Sequence, residues 1–246
     1  MLASVNGPCI VCAQAGNVNS GAFDPLEEIA GLTHARGAWL HVDGAFGLWA
    51  AAAPRLAHLV GGVEKADSIA TDGHKWLNVP YDCGVVFCAD EAAHRSAMSL
   101  AAPAQAAPYL ATSTRQRDPH EFVPEESRRG RAIPLYAGLR ALGRAGLAEL
   151  VERNCRQAQR FAAGLAAEGY EVLNEVVLNQ VVVVFGDAGR TRRVVAALQE
   201  DGTCWCGTTV WQGRTAMRIS VSNWSTTEAD VERSLGAMLH IARATP

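Results

Sequence analysis

Along the first ninety residues, short apolar runs alternate with stretches of helical spacing, a pattern that predicts a parallel α/β sheet. Cys9 to Ala13 reads as a buried strand, followed by the polar turn Gly16 to Gly21. Asp24 is the expected N-cap of a helix that Pro25 opens, with Glu27 and Glu28 at its positive end. Leu26, Ile29, Ala30 and Thr33 recur at helical spacing, and Gly37 ends the element. The next strand is Ala38 to Val42, ending at Asp43. An Ala-rich helical stretch leads to a short strand at Ser68 to Ala70, and another lies at Val85 to Cys88.

Residues 99 to 124 lose this periodicity, and Ala, Pro, Gln, Ser and Thr dominate. A mobile loop is expected there, of a length that is usually functional. A helix is expected from about Pro124, with Leu135, Leu139 and Leu142 on one stripe. Gly143 and Gly146 break or kink it, and a second helix runs to about Glu168. From Tyr170 the order is strand, helix, strand, strand, helix. Val181 to Phe185 and Met217 to Val221 are the clearest strands, and Thr226 or Thr227 caps the last helix.

Composition narrows the class. The 246 residues are 49% hydrophobic and 19% charged, as in globular chains. A net charge of −3 gives no electrostatic case for nucleic acid or an anionic membrane surface. No apolar run approaches the roughly 20 residues of a membrane-spanning helix, and the first eight residues lack the pattern of a signal peptide. A cytoplasmic location is the expectation. Seven cysteines, an odd number, argue against a secreted disulfide framework. Cys9 and Cys12 have C-x-x-C spacing, but a strand puts them on opposite faces, so they are expected to be buried and structural. Cys204 and Cys206 lack a second pair at zinc spacing, and no metal is expected.

Two strand ends carry the chemistry. One is His41-Val42-Asp43-Gly44-Ala45-Phe46-Gly47; the other is Thr71-Asp72-Gly73-His74-Lys75-Trp76-Leu77, with Lys75 placed 32 positions after Asp43. Parallel α/β sheets bind ligands at the carboxyl ends of their strands. An acid at one such end and a lysine at another is what a pyridoxal site needs. The amine condenses with the cofactor aldehyde, and the carboxylate keeps the pyridine nitrogen protonated. Lys75 and Lys65 are the only lysines in a chain whose other basic residues are arginines. A lysine kept between His74 and Trp76 suggests amine chemistry that a guanidinium cannot perform. His41 is read as structural, pointing away from the neighbours of Asp43. Arg128, Arg129 and Arg131 stand near a helix start, where cations are unfavourable, so salt bridges to Glu125, Glu126 or the large domain are expected. His120 and Phe122 are open between substrate contact and loop packing.

These segments resemble the group II pyridoxal-phosphate decarboxylases, the family of aromatic-amino-acid, glutamate and histidine decarboxylases. The turn Gln14 to Pro25, Tyr81-Asp82-Cys83-Gly84, Ser127 to Arg131, and Arg218 to Trp224 with Thr226 and Asp230 extend the resemblance over nearly the whole chain. It implies an aspartate-aminotransferase-like α/β fold (fold type I). Residues 1–144 would be the later part of the large domain, with a mainly parallel sheet, and residues 145–246 a C-terminal α+β domain. It implies decarboxylation of an L-amino acid with pyridoxal 5'-phosphate, in a homodimer. By position, Lys75 is the Schiff-base lysine with His74 beside it, near the phosphate and substrate. Asp43 is the pyridinium partner, and Ala45 packs on a ring face. Asn17 holds a cofactor-proximal turn position where many members have threonine. Asp72 stands where many have asparagine near the phosphate, which an ionised carboxylate would repel without compensation.

Members of the family are longer, and their phosphate-binding turn and ring-stacking side chain precede the position of Gly7. A chain lacking both is expected to hold the cofactor weakly and to decarboxylate poorly or not at all. Animal aromatic decarboxylases place a proton-donating tyrosine in the mobile loop; here Tyr109 lies early in it and 111–128 contains none. The substrate therefore stays open, as does an oxidative outcome. Other readings are a different fold-type-I lyase or desulfurase, and an inactive remnant.

Overall fold

The computed structural model describes residues 5–101, 119–125 and 127–246. Strands β1 (Ile10–Gln14), β2 (Trp39–Asp43) and β3 (Ser68–Asp72) pair in parallel, and β4 (Gly84–Cys88) joins β3 antiparallel, in the order β1-β2-β3-β4. Helix α1 (Leu26–His34) covers one face. There Leu26 and Ala30 pack with Ala13, Leu40 and Val42, all buried, each larger side chain contributing on the order of 2 kcal/mol.

The other face carries Ile10, Cys12, Gln14, His41, Asp43, Ala70 and Asp72 in register, and Ile10, Cys12 and Asp43 are exposed. This corrects the reading of the C-x-x-C pair as buried: Cys9 lies half-buried just before β1, and Cys12 points to the open face. Asp24 is not a helix cap. Its carboxylate accepts the Gln14 amide (2.7 Å) and thereby ties the turn to β1. The Ala-rich stretch is three short 3-10 helices, Gly47–Ala52, Ala57–Val60 and Val63–Lys65, interrupted at Pro54 and Gly61-Gly62.

Helix α2 (Glu91–Ala101) follows β4, and a 3-10 turn covers Pro119–Phe122. The expected loop therefore lies mostly outside the described residues, as do Tyr109 and the side chain of His120. Phe122 packs edge-on against His94, with ring centroids 5.8 Å apart. Helix α3 (Ala132–Ala167) starts later than Pro124, because residues 127–131 form an irregular segment held by ion pairs. Arg129 and Arg131 bind Asp82, and Arg131 also binds Glu125 (3.1 Å). The kink falls at Gly143, whose φ of 62° is outside helical space, whereas Gly146 stays helical.

After α3 a second sheet is antiparallel, ordered β5 (Glu171–Val172), β6 (Gln180–Val184), β8 (Arg214–Ser220), β7 (Gly207–Trp211). Helices α4 (Ala188–Asp201) and α5 (Glu228–Ala244) pack on it with α3, around buried Phe161, Phe185, Leu198, Met217 and Met238. Thr227 caps α5 in a reciprocal box with Asp230, so the second of the two expected threonines has this role. Among the described residues, no helix is long and apolar enough to cross a membrane.

Candidate active site

The carboxyl ends of β2 and β3 lie side by side, and the backbone between them is short of side chains for a reason. A Cβ on Gly47 would come within 2.5 Å of the Ala15 carbonyl, and one on Gly44 within 2.8 Å of Leu48. These glycines let the chain after β2 fold under the turn after β1, where the Gly47 amide donates to the Ala15 carbonyl (3.1 Å). Across the strand ends, the Gly44 amide donates to the Ala70 carbonyl (2.8 Å) and the Asp72 amide to the Ala45 carbonyl (3.2 Å).

Asp43 ends β2 exposed on the open face, and one of its oxygens accepts the Ala45 amide (3.0 Å). Asp72 ends β3 on the same face. Its Oδ2 lies 3.0 Å from Lys75 Nζ and 3.8 Å from His74 Nε2. Asp43, Ala45, Asp72, His74 and Lys75 thus form one connected group. The Cys83 amide donates to His74 Nδ1 (3.0 Å), and the ring lies 4.2 Å from the Tyr81 ring. The Cys83 carbonyl lies 3.1 Å from the same Nδ1, and Nε2 faces Asp72. Asn17 is joined only indirectly. Its Oδ1 accepts the amides of Asn19 (3.0 Å) and Ser20 (3.2 Å), and its amide donates to Gln14, the β1 neighbour of Asp43. The side chain organises the turn.

His41 differs from its reading. Alternation puts it on the same face as Asp43, with Nδ1 2.8 Å from Ser68 Oγ, which also accepts from Trp39 Nε1 (2.8 Å).

The loop after Lys75 is anchored by residues that the sequence reading passed over. Trp76 is fully buried, stacks on Phe46 (4.9 Å) and donates to Asn154 Oδ1 (2.9 Å). Asn154 donates in turn to Gln157, whose amide reaches the Thr226 carbonyl (2.9 Å). Asn78, at a φ of 56°, donates to the Ser222 carbonyl (2.7 Å) and accepts the Trp224 amide (3.2 Å). The signals available were polar amides on an apolar stripe of α3 and an Asn-Val-Pro turn; neither names its partner.

Comparison with known proteins finds relatives among amino-acid decarboxylases. The chain is 33% identical to L-2,4-diaminobutyrate decarboxylase of Rhizobium meliloti, covering 96% of this chain and 49% of that protein. It is 30% identical to histidine decarboxylase of Drosophila melanogaster, covering 91% and 26%. It superposes on the crystal structure of Oryza sativa TDC with PLP and tryptamine at a TM-score of 0.86 and 24% identity, covering 96% of this chain and 50% of that one. That likeness shows the fold, the aspartate-aminotransferase-like one expected, and the chain spans about half or less of these proteins' length. The model of the pyridoxal-dependent decarboxylase conserved domain matches residues 3–185, a span containing both strand ends. With three quarters of its length in that match and Asp43 and Lys75 inside it, the chain belongs to the pyridoxal-dependent decarboxylase family.

Proposed function

We propose that this chain is the cofactor-anchoring part of a pyridoxal-phosphate-dependent decarboxylase acting on an L-amino acid. The carrying observation is the primary amine of Lys75 and the carboxylate of Asp43 at adjacent strand ends on one open face. The donor set suits the cofactor at two points: an amine for its aldehyde and a carboxylate for its ring nitrogen. Ala45 and Ala70, beside them, carry only small side chains. Bound there, pyridoxal phosphate supplies an electron sink for the pair left behind when a carboxylate departs.

The residues of the chain do the rest. Lys75 would hold the cofactor through its side-chain amine. Asp43 keeps the proton on the ring nitrogen. Asp72 Oδ2 orients the Lys75 amine, and the carbonyl–amide cradle of Cys83 with Tyr81 fixes His74 beside it. The charge of Asp72 opposes a phosphate nearby, which supports weak, reversible cofactor binding by this chain.

Carbon dioxide release from carboxyl-labelled L-2,4-diaminobutyrate, L-histidine and L-tryptophan, with excess cofactor, tests the proposal. Slow release is expected from at least one substrate. It should fall on the order of 10²-fold or more in Asp43→Asn and to background in Lys75→Ala. Release insensitive to either substitution contradicts the reading, as does a chain that shows neither release nor a borohydride-reducible imine with pyridoxal phosphate. A homodimer belongs to the same proposal: Ile133 and Tyr136, 73% and 66% exposed one turn apart on α3, offer apolar contact area. Sedimentation equilibrium should show dimer; a monomer at all concentrations opposes it.

A further inference from the structure

The segment joining α4 to β7 carries a pair of thiols far along the chain from Lys75. Gly202, left-handed at a φ of 77°, ends α4, and the Thr203 amide is held by Asp201 (3.2 Å). Cys204, Trp205 and Cys206 follow outside helix or strand, and Gln199 Nε2 donates to the Cys206 carbonyl (2.7 Å). The segment is thus pinned at both ends. Burial alternates along it as in extended chain: Trp205 is 77% exposed, whereas Cys206 is buried in the core and Cys204 packs half-buried against the same core. Both cysteines line one cavity of about 450 Å³, together with Asn223 and Ser234.

The neighbouring Cys206 thiol and Ser234 hydroxyl favour the Cys204 thiolate and bring its pKa down to about 7, against the opposing effect of burial. The same pairing, with burial, pushes Cys206 up. Cys155, buried with no second thiol beside it, is pushed up to about 12.

We propose that Cys204 and Cys206 form a dithiol site that reacts with low-molecular-weight disulfides, Cys204 attacking and Cys206 resolving. The Cys204 thiolate, its proton released to solvent, attacks one sulfur of the small disulfide and expels the other as thiolate. Cys206 then attacks the Cys204 sulfur, its proton passing to the second departing thiolate. Two protein thiols are oxidised to one disulfide, and one small disulfide is reduced to two thiols. Two residues of extended chain span about 6.6–7.2 Å, at or past the roughly 7 Å that a disulfide bridges, so closure draws the two Cα atoms together. The bond is therefore readily reversed by excess thiol.

The test uses the full chain with Cys9, Cys12 and Cys88 changed to serine, titrated with 5,5'-dithiobis(2-nitrobenzoate) under native conditions. Two equivalents of nitrothiobenzoate per chain and a Cys204–Cys206 disulfide by peptide mapping are expected, with a rate midpoint near pH 7. Cys206→Ser should instead release one equivalent and keep the adduct on Cys204. Should that substitution unfold the chain, the product of the intact pair decides alone. A stable adduct on Cys204 beside an intact Cys206, no reaction at Cys204, or a rate midpoint at the usual thiol pKa overturns the proposal.

Discussion

The ion pair between Lys75 and Asp72 joins side chains 42% and 21% exposed at 3.0 Å. Exposed pairs contribute about 0–1 kcal/mol, so Lys75 can leave this one at little cost. Asp72→Asn is expected to shift the melting midpoint by less than about 4 °C. It should also tighten pyridoxal phosphate binding several-fold, because a charge opposing the phosphate is gone. Scanning calorimetry and an equilibrium titration of cofactor absorbance read the two effects, and weaker binding by the variant would contradict this role. That Asp43, Ala45, Asp72, His74 and Lys75 lie together was legible in the sequence because each is within a few positions of a strand end. His41 was misplaced although strand alternation alone puts it on the same face as Asp43.

At the scale of elements, the hydrogen bond from Trp76 to Asn154 ties the loop after β3 to α3 across 78 positions. Asn154→Leu leaves the buried indole N–H without its acceptor, at a cost of about 1–3 kcal/mol. A lower urea midpoint with an unchanged slope is the expected result; an unchanged midpoint would mean that the bond contributes nothing to the fold. Most strands were legible to within one or two residues because their apolar runs are short and bounded by turns, whereas β8 starts three residues before the expected Met217. The kink at Gly143 was legible for a similar local reason. The start of α3 was not, because residues 127–131 follow Asp82 and Glu125 instead of helix propensity. The role of Asp24 was hidden likewise, since its acceptor site is filled from β1.

The whole molecule places the Lys75 loop between two sheets. Asn78 reaches the segment after β8, and the turn around Asn17 meets the second sheet through Asn19, which accepts from Thr209 (2.7 Å). The mainly parallel sheet and a later α+β unit were legible from periodicity, but the two-residue strand β5, the antiparallel pairing and the contacts joining the sheets were not, because they depend on distant segments. Lys65, the other lysine, is paired with Glu27, and that hydrogen bond raises its pKa, holding the ammonium protonated. Borohydride reduction of the chain incubated with pyridoxal phosphate, followed by peptide mapping, therefore tests the central claim most directly. The account predicts a cofactor adduct on Lys75 alone, lost in Lys75→Ala; an adduct on Lys65, or one that survives Lys75→Ala, would contradict it.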